Sequence, residues 1–279
     1  MDLRNIFSAI EKFDPEVYEK MDTRRDAMKS FAGIGRVLAL TAVPFALGGM
    51  FKKAYGGTRA ASTPLDVLNY ALTLEYLEAA FYANALSANA TSTFIAAGDL
   101  PGFQTISAHE TAHVKFLQTA ITGAGGTPVT SHTFDFTAGG AFANVFSNYD
   151  TFLAVSQTFE DTGVRAYKGR AGELLGTGGI LTAALNIHSV EARHASFVRQ
   201  VRATKGAGIA GLKPWITGKN SYGPAAVQAS YNGEDLAAQA GVTITGISTE
   251  VDVNAATEAF DEPLTAEAVL SIVSGFIVS

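Results

Sequence analysis

The sequence predicts an all-α fold: a four-helix bundle with one long crossover in its middle, a leader before it and a mixed appendage after it. Three observations predict this. Four segments between residues 64 and 204 repeat apolar residues every three or four positions, the period of a helix with one buried face. Residues 124–147, between the second and third segments, lack that period and form a longer stretch than an ordinary connection. The 279 residues are 47% hydrophobic and only 16% charged, which supplies a sizeable core and excludes a disordered chain.

Residues 1–61 read as a leader. Acidic and basic side chains balance up to residue 36, and an uncharged apolar run, VLALTAVPFALGGM, fills 37–50. Small residues follow at Gly56, Gly57, Ala60 and Ala61, which is the layout of an export signal. Upstream, Thr23-Arg24-Arg25-Asp26-Ala27-Met28-Lys29 resembles a twin-arginine motif, with Ala27 where a bulkier apolar residue is usual. The expected location is therefore the periplasm or cell envelope. No run reaches the roughly 20 apolar residues of a stable membrane span.

Residues 62–204 form the expected bundle. The first helix opens at Thr63-Pro64, a cap followed by proline in the first turn, and carries the stripe Leu68, Leu72, Glu75, Ala79, Tyr82, Leu86. The second, near 101–123, aligns Ile106, Glu110, His113, Leu117 and Ile121. The third, about 148–175, aligns Leu153, Glu160, Val164 and Tyr167, and the fourth, about 179–204, aligns Ile187, Glu191, His194 and Val198. Residues 205–279 change character. They are glycine-rich, alternate like strands around Val242, Ile244, Ile247, Val251 and Val253, and carry a short helix after Thr265. They are read as an extension packed on the bundle.

Composition removes several chemistries. There is no cysteine, so thiolate zinc sites, iron–sulfur clusters, disulfides and cysteine nucleophiles are excluded. The formal charge of -6, with no basic stripe, argues against a nucleic-acid partner.

What remains lies on the apolar stripes. Glu110/His113 and Glu191/His194 are both Glu-x-x-His, a spacing that chance yields about 0.25 times in this composition. It places both side chains on one helical face. The other two helices each carry Glu with Tyr seven residues later, Glu75/Tyr82 and Glu160/Tyr167. The order Glu-x6-Tyr, Glu-x-x-His occurs twice, with 35 residues from Glu75 to Glu110 and 31 from Glu160 to Glu191. This is a repeated helical hairpin. Four inward carboxylates are costly unless compensated, and two divalent ions match their charge. Oxygen and imidazole donors suit iron or manganese equally, with glutamates able to bridge two ions. Tyr82 and Tyr167 are placed either to hydrogen-bond these carboxylates from outside or to pack as plain core aromatics.

One inward Glu on each of two helices and Glu-x-x-His on the other two resembles the ferritin-like di-metal carboxylate superfamily. The stretches LEYLEAAFY, AHETAHVKFL, NIHSVEARHASFVRQV and AFDEPLTAEAVLSIV resemble its exported, desiccation-related branch. The resemblance implies a dinuclear iron or manganese centre held by Glu75, Glu110, His113, Glu160, Glu191 and His194. Glu78, three residues after Glu75, is the alternative or additional ligand. In the superfamily such centres perform peroxidase, catalase or ferroxidase chemistry, so the expected substrate is a small oxidant, peroxide or dioxygen. The alternative is a metal-binding or structural stress-protective envelope protein without turnover. His109 is read as pointing away from the ligands, His188 as either an outer donor or a packed side chain, and Asp161 and Arg165 as solvent-facing. The oligomeric state, including a homo-oligomer, stays open.

Overall fold

The computed structural model describes residues 62–205 and 209–278. The expected leader, with Arg24, Arg25 and the run at 37–50, lies outside the described residues. Four long helices form two antiparallel hairpins. α1 (Pro64–Ser92) packs on α2 (Leu100–Gly123), and α3 (Tyr149–Ala171) packs on α4 (Gly179–Ala203). No described helix is long and apolar enough to cross a membrane.

Local sequence sets the helix ends. The Thr63 hydroxyl accepts from the Asp66 N–H at 3.2 Å while the Asp66 carboxylate accepts from the Thr63 N–H at 2.8 Å, a reciprocal cap reinforced by Pro64. Asn148 caps α3 through Thr151 N–H. The crossover does not cross empty-handed. Its strand β1 (Thr133–Phe134) pairs antiparallel with β4 (Ile277–Val278), and Phe136 and Phe142 enter the main core beside Phe81, Phe159 and Phe276.

The C-terminal extension differs from its strand-like reading. In the region of the alternation, among the described residues, Ala238–Gln239 (β2) and Val242–Thr243 (β3) pair, as a short hairpin. Val253 instead opens the helix α5 (Val253–Glu258), capped by Asp252, and Val242, Ile247 and Val253 are exposed. Their alternation reflects no buried face. The helix after Thr265 is present as α6 (Ala266–Val273), with Thr265 as its cap.

Asp161 and Arg165 are not solvent-facing, because the extension covers the outer side of α3. Every residue from Phe152 to Tyr167 is buried. The Arg165 guanidinium lies 2.6 Å from the Glu234 carboxylate and donates to the carbonyls of Ser230, Asn232 and Glu262. Asp161 accepts from both Arg199 and the Tyr231 hydroxyl. The backbone of the extension comes so close at Gly169 that a Cβ there would stand 1.9 Å from the Leu264 carbonyl oxygen.

The hydrophobic interior is divided. A large aromatic cluster containing Phe81, Tyr82, Phe103 and Phe152 fills one part, and a smaller one of Leu68, Leu72, Leu117, Ile121, Tyr167 and Ile187 fills the other. Glu75 lies between Leu72 and Tyr82 along α1, so a polar layer separates the two.

Arg165→Ala is expected to lower stability by about 3–5 kcal/mol, because it strands the buried Glu234 carboxylate and three carbonyls. Chemical denaturation checks this, and a loss under about 1 kcal/mol would show that the extension is held by other contacts.

Candidate metal centre

The polar layer is built by one helical turn from each long helix. Glu75, Glu110, Glu160 and Glu191 are each fully buried, and His194 is nearly so. Glu75 and Glu160 project from α1 and α3, and each Glu-x-x-His pair projects from α2 or α4.

These side chains converge as two groups. Glu75, Glu110, His113 and Glu191 offer atoms within 4.8 Å of one another, and so do Glu110, Glu160, Glu191 and His194. Glu110 and Glu191 belong to both groups and divide their oxygens between them. Glu110 turns Oε2 toward His113 at 3.3 Å and Oε1 toward His194 at 2.9 Å. Glu191 turns Oε1 toward His113 at 3.2 Å and Oε2 toward His194 at 3.9 Å.

The donor set fits cations. His113 Nδ1 faces three carboxylate oxygens at 3.1–3.3 Å, yet an imidazole nitrogen carries at most one hydrogen. Glu110 Oε1, Glu160 Oε2, both Glu191 oxygens and His194 Nδ1 are buried without a hydrogen-bond partner. Bonds of about 2.1 Å at right angles put neighbouring ligand atoms about 3 Å apart, which is the spacing seen here. The same geometry without a cation leaves several buried polar atoms unsatisfied, at a cost of about 1–3 kcal/mol each or more.

The outer contacts orient the inner ones. The Tyr82 hydroxyl, on α1, donates to Glu160 Oε1 on α3, and the Tyr167 hydroxyl, on α3, donates to Glu75 Oε1 on α1. Each tyrosine thus serves the glutamate of the opposite hairpin. The second oxygen of each glutamate faces inward, Glu75 Oε2 toward His113 and Glu160 Oε2 toward His194. Ser156 adds a 2.6 Å contact to Tyr82.

His109 was read from sequence as turned away, and it does not reach the carboxylates. It does touch the site: its Nδ1 lies 2.9 Å from His194 Nε2, with the rings stacked. With the hydrogen on His194 Nε2 and His109 accepting, the lone pair of His194 Nδ1 points at the carboxylates. The available signal was the spacing of four from His109 to His113, which puts both on one side of α2. His188 Nε2 is buried without a hydrogen-bond partner, and His132 in the crossover packs edge-on against Phe134.

Glu78 is buried but belongs to neither group. It lies beside Glu191 at Gly163, where a Cβ would stand 3.2 Å from Glu78 Oε1 and 3.5 Å from Glu191 Oε2. Gly163 therefore leaves room for both carboxylates.

Without a cation the layer holds protons. Burial, then the neighbouring carboxylates, push Glu191 and Glu78 well above the usual range, and burial raises Glu160 and brings Glu75 to about 7. Burial opposes charge on the histidines, but the surrounding carboxylates outweigh it and hold His113 near 12 and His194 near 10. Burial also works against ionisation of Glu110, but the two histidines win and lower it to about 2.

A bundle of two helical hairpins with a carboxylate–histidine layer at its middle is the class that fold and site define together. Residues 63–204, just over half of the chain, match the ferritin-like domain family, and the chain belongs to it. No curated protein matches the chain.

The pKa directions fix a pH dependence. In metal-free protein the raised glutamates keep protons that the unfolded chain releases above about pH 4.5, so stability falls as pH rises through about 7. The histidine contribution is full below 6.5 and is lost as pH climbs through about 10 and 12. Among the four glutamates of the layer Glu110 runs the other way, losing its contribution as pH drops from 4.5 to about 2. Cations displace these protons, so they bind better at higher pH. A chelator is expected to lower Tm by about 8–16 °C for each ion removed at pH 8, for free metal near 1,000-fold over Kd, and much less at pH 5. Thermal scans at both pH values check it, and equal effects would contradict the proton–metal competition.

Proposed function

We propose that this protein holds two divalent ions, iron or manganese, and carries out redox chemistry on a small oxidant, peroxide or dioxygen, as an exported protein of the desiccation-related ferritin-like branch. The observation that carries the metal reading is the division of the Glu110 and Glu191 oxygens between two histidine-containing groups. Shared carboxylates of this kind suit a pair of ions rather than one. Glu75 and His113 would complete one end, and Glu160 and His194 the other.

When bound, such ions supply the electrons that reduce an oxidant. The chain supplies the surroundings. The two apolar clusters flank the layer with hydrophobic side chains. Tyr82 and Tyr167 hold Glu160 and Glu75 through one oxygen each, which fixes the direction of the other. His109 fixes the ring of His194. Tyr82 and Tyr167, both buried, keep their protons at neutral pH, burial pushes the Glu78 carboxyl well above its usual range, and all three stand beside the layer as proton holders. Burial of the layer excludes a bulky reactant, which favours peroxide or dioxygen over an organic substrate.

Export rests on Arg24-Arg25 and the apolar run at 37–50. Replacing both arginines by lysine is expected to leave the protein in the cytoplasm, as cell fractionation would read. Unchanged export would remove the twin-arginine reading.

Protein purified with defined iron or manganese content tests the chemistry. Peroxide consumption over many turnovers is expected, either with an added reductant or with one peroxide oxidised to dioxygen for each one reduced to water, and Glu110→Ala or Glu191→Ala should bring it to background while circular dichroism shows helix content largely kept. One stoichiometric oxidation and no more would replace turnover by storage. Activity retained in both variants would show that the site lies elsewhere.

A further inference from the structure

At the end of the bundle beyond Tyr167, a cavity of about 330 Å³ opens between all four helices. It exists because small residues face one another there. Ala71 on α1, Ala120 on α2 and Ala184 on α4 leave the centre unfilled, and Phe116 stands half-exposed at the rim. The volume is at the lower end of the range for small-molecule sites, about 300–1,000 Å³. At about 30 Å³ per water-sized unit it accepts roughly eleven heavy atoms.

The walls are almost wholly apolar, with two polar exceptions besides Tyr167. The Tyr70 hydroxyl is buried and has no hydrogen-bond partner among the described residues. Arg170 lies over the Tyr70 ring at 5.2 Å, and its Nε is 3.0 Å from the Glu173 carboxylate. A buried hydroxyl left unpaired is destabilising, and an occupant with an acceptor at that point would satisfy it. The charge around it selects the kind of acceptor. Arg170 is accompanied by Glu173, and Glu267 also acts on Tyr70, so an anion gains little from this surrounding.

We propose that this cavity is a binding site for a neutral, largely hydrocarbon molecule of about ten to thirteen heavy atoms carrying one carbonyl, which accepts from the Tyr70 hydroxyl. The occupant rests on the ring of Tyr167, whose hydroxyl holds Glu75 on the other side. The site goes beyond the redox reading and stands without it, since Tyr167 alone among its lining groups is placed beside the carboxylate–histidine layer and the proposed ligand contact is made by Tyr70.

Isothermal titration of the full chain with 2-acetylnaphthalene, in metal-free and metal-loaded protein alike, tests the proposal. One equivalent is expected to bind with Kd on the order of 10–100 μM. 2-Ethylnaphthalene, which has the shape without the carbonyl, and 2-naphthoate, which has a charge, should each bind at least about 3-fold more weakly. Tyr70→Phe should weaken the ketone by about 3–10-fold and leave 2-ethylnaphthalene unchanged. Ala184→Phe, which fills the cavity, should abolish binding of both. Absence of binding, or binding unaffected by Ala184→Phe in a variant of normal helix content, overturns the site. Equal affinity for the hydrocarbon, or tighter binding of the carboxylate, overturns the ligand class. Loss of peroxide turnover with binding intact would count against the redox proposal alone.

Discussion

Four glutamates meet in the middle of a hydrophobic interior, and the rest of the molecule is arranged around that fact. Their carboxylates cannot all ionise there unaided. The metal-free layer answers by holding protons more tightly on Glu75, Glu160 and Glu191 and by charging two histidines. A pair of divalent cations answers more completely, because it matches four negative charges and satisfies oxygens that hydrogen bonds do not reach. The two apolar clusters on either side flank the layer with side chains of low polarity, which raises the cost of leaving it uncompensated and the strength of any cation held there.

The layer also shows how a repeated hairpin becomes one site. Each hairpin supplies Glu-x6-Tyr and Glu-x-x-His, but neither completes a group alone. Tyr82 serves Glu160, Tyr167 serves Glu75, and the shared oxygens of Glu110 and Glu191 join the halves. The symmetry is broken at one point. Glu78 follows Glu75 by three residues, while the corresponding position after Glu160 is Gly163, and the missing side chain is what makes room for Glu78. One side of the layer thus carries an additional acid. A Cβ at Gly163 would press on two carboxylates at once.

Much of this was legible in the sequence because helical periodicity is strong where one face is apolar. The four helices begin and end within a few residues of the expected positions, and the six inward groups were legible because charged residues on an apolar stripe are conspicuous. The favoured choice of Glu75 over Glu78 followed from the tyrosine seven residues on. The failures share a cause. Asp161 and Arg165 look solvent-facing when α3 is considered as part of a bundle alone, yet the extension brings Glu234, Tyr231 and several carbonyls to meet them. Contacts between segments about 70 to 100 residues apart leave no periodic trace. The contact of His109 with His194 left no trace for a related reason: the two histidines lie on different helices, 85 positions apart. The pairing of β1 with β4 joins two-residue strands, too short to register as a pattern.

The most direct measurement is anomalous diffraction from crystals of the protein prepared with iron or manganese. The account predicts two peaks in the polar layer, one beside His113 and one beside His194, with Glu110 and Glu191 contacting both. A single peak, no peak, or ions bound away from these side chains would contradict it.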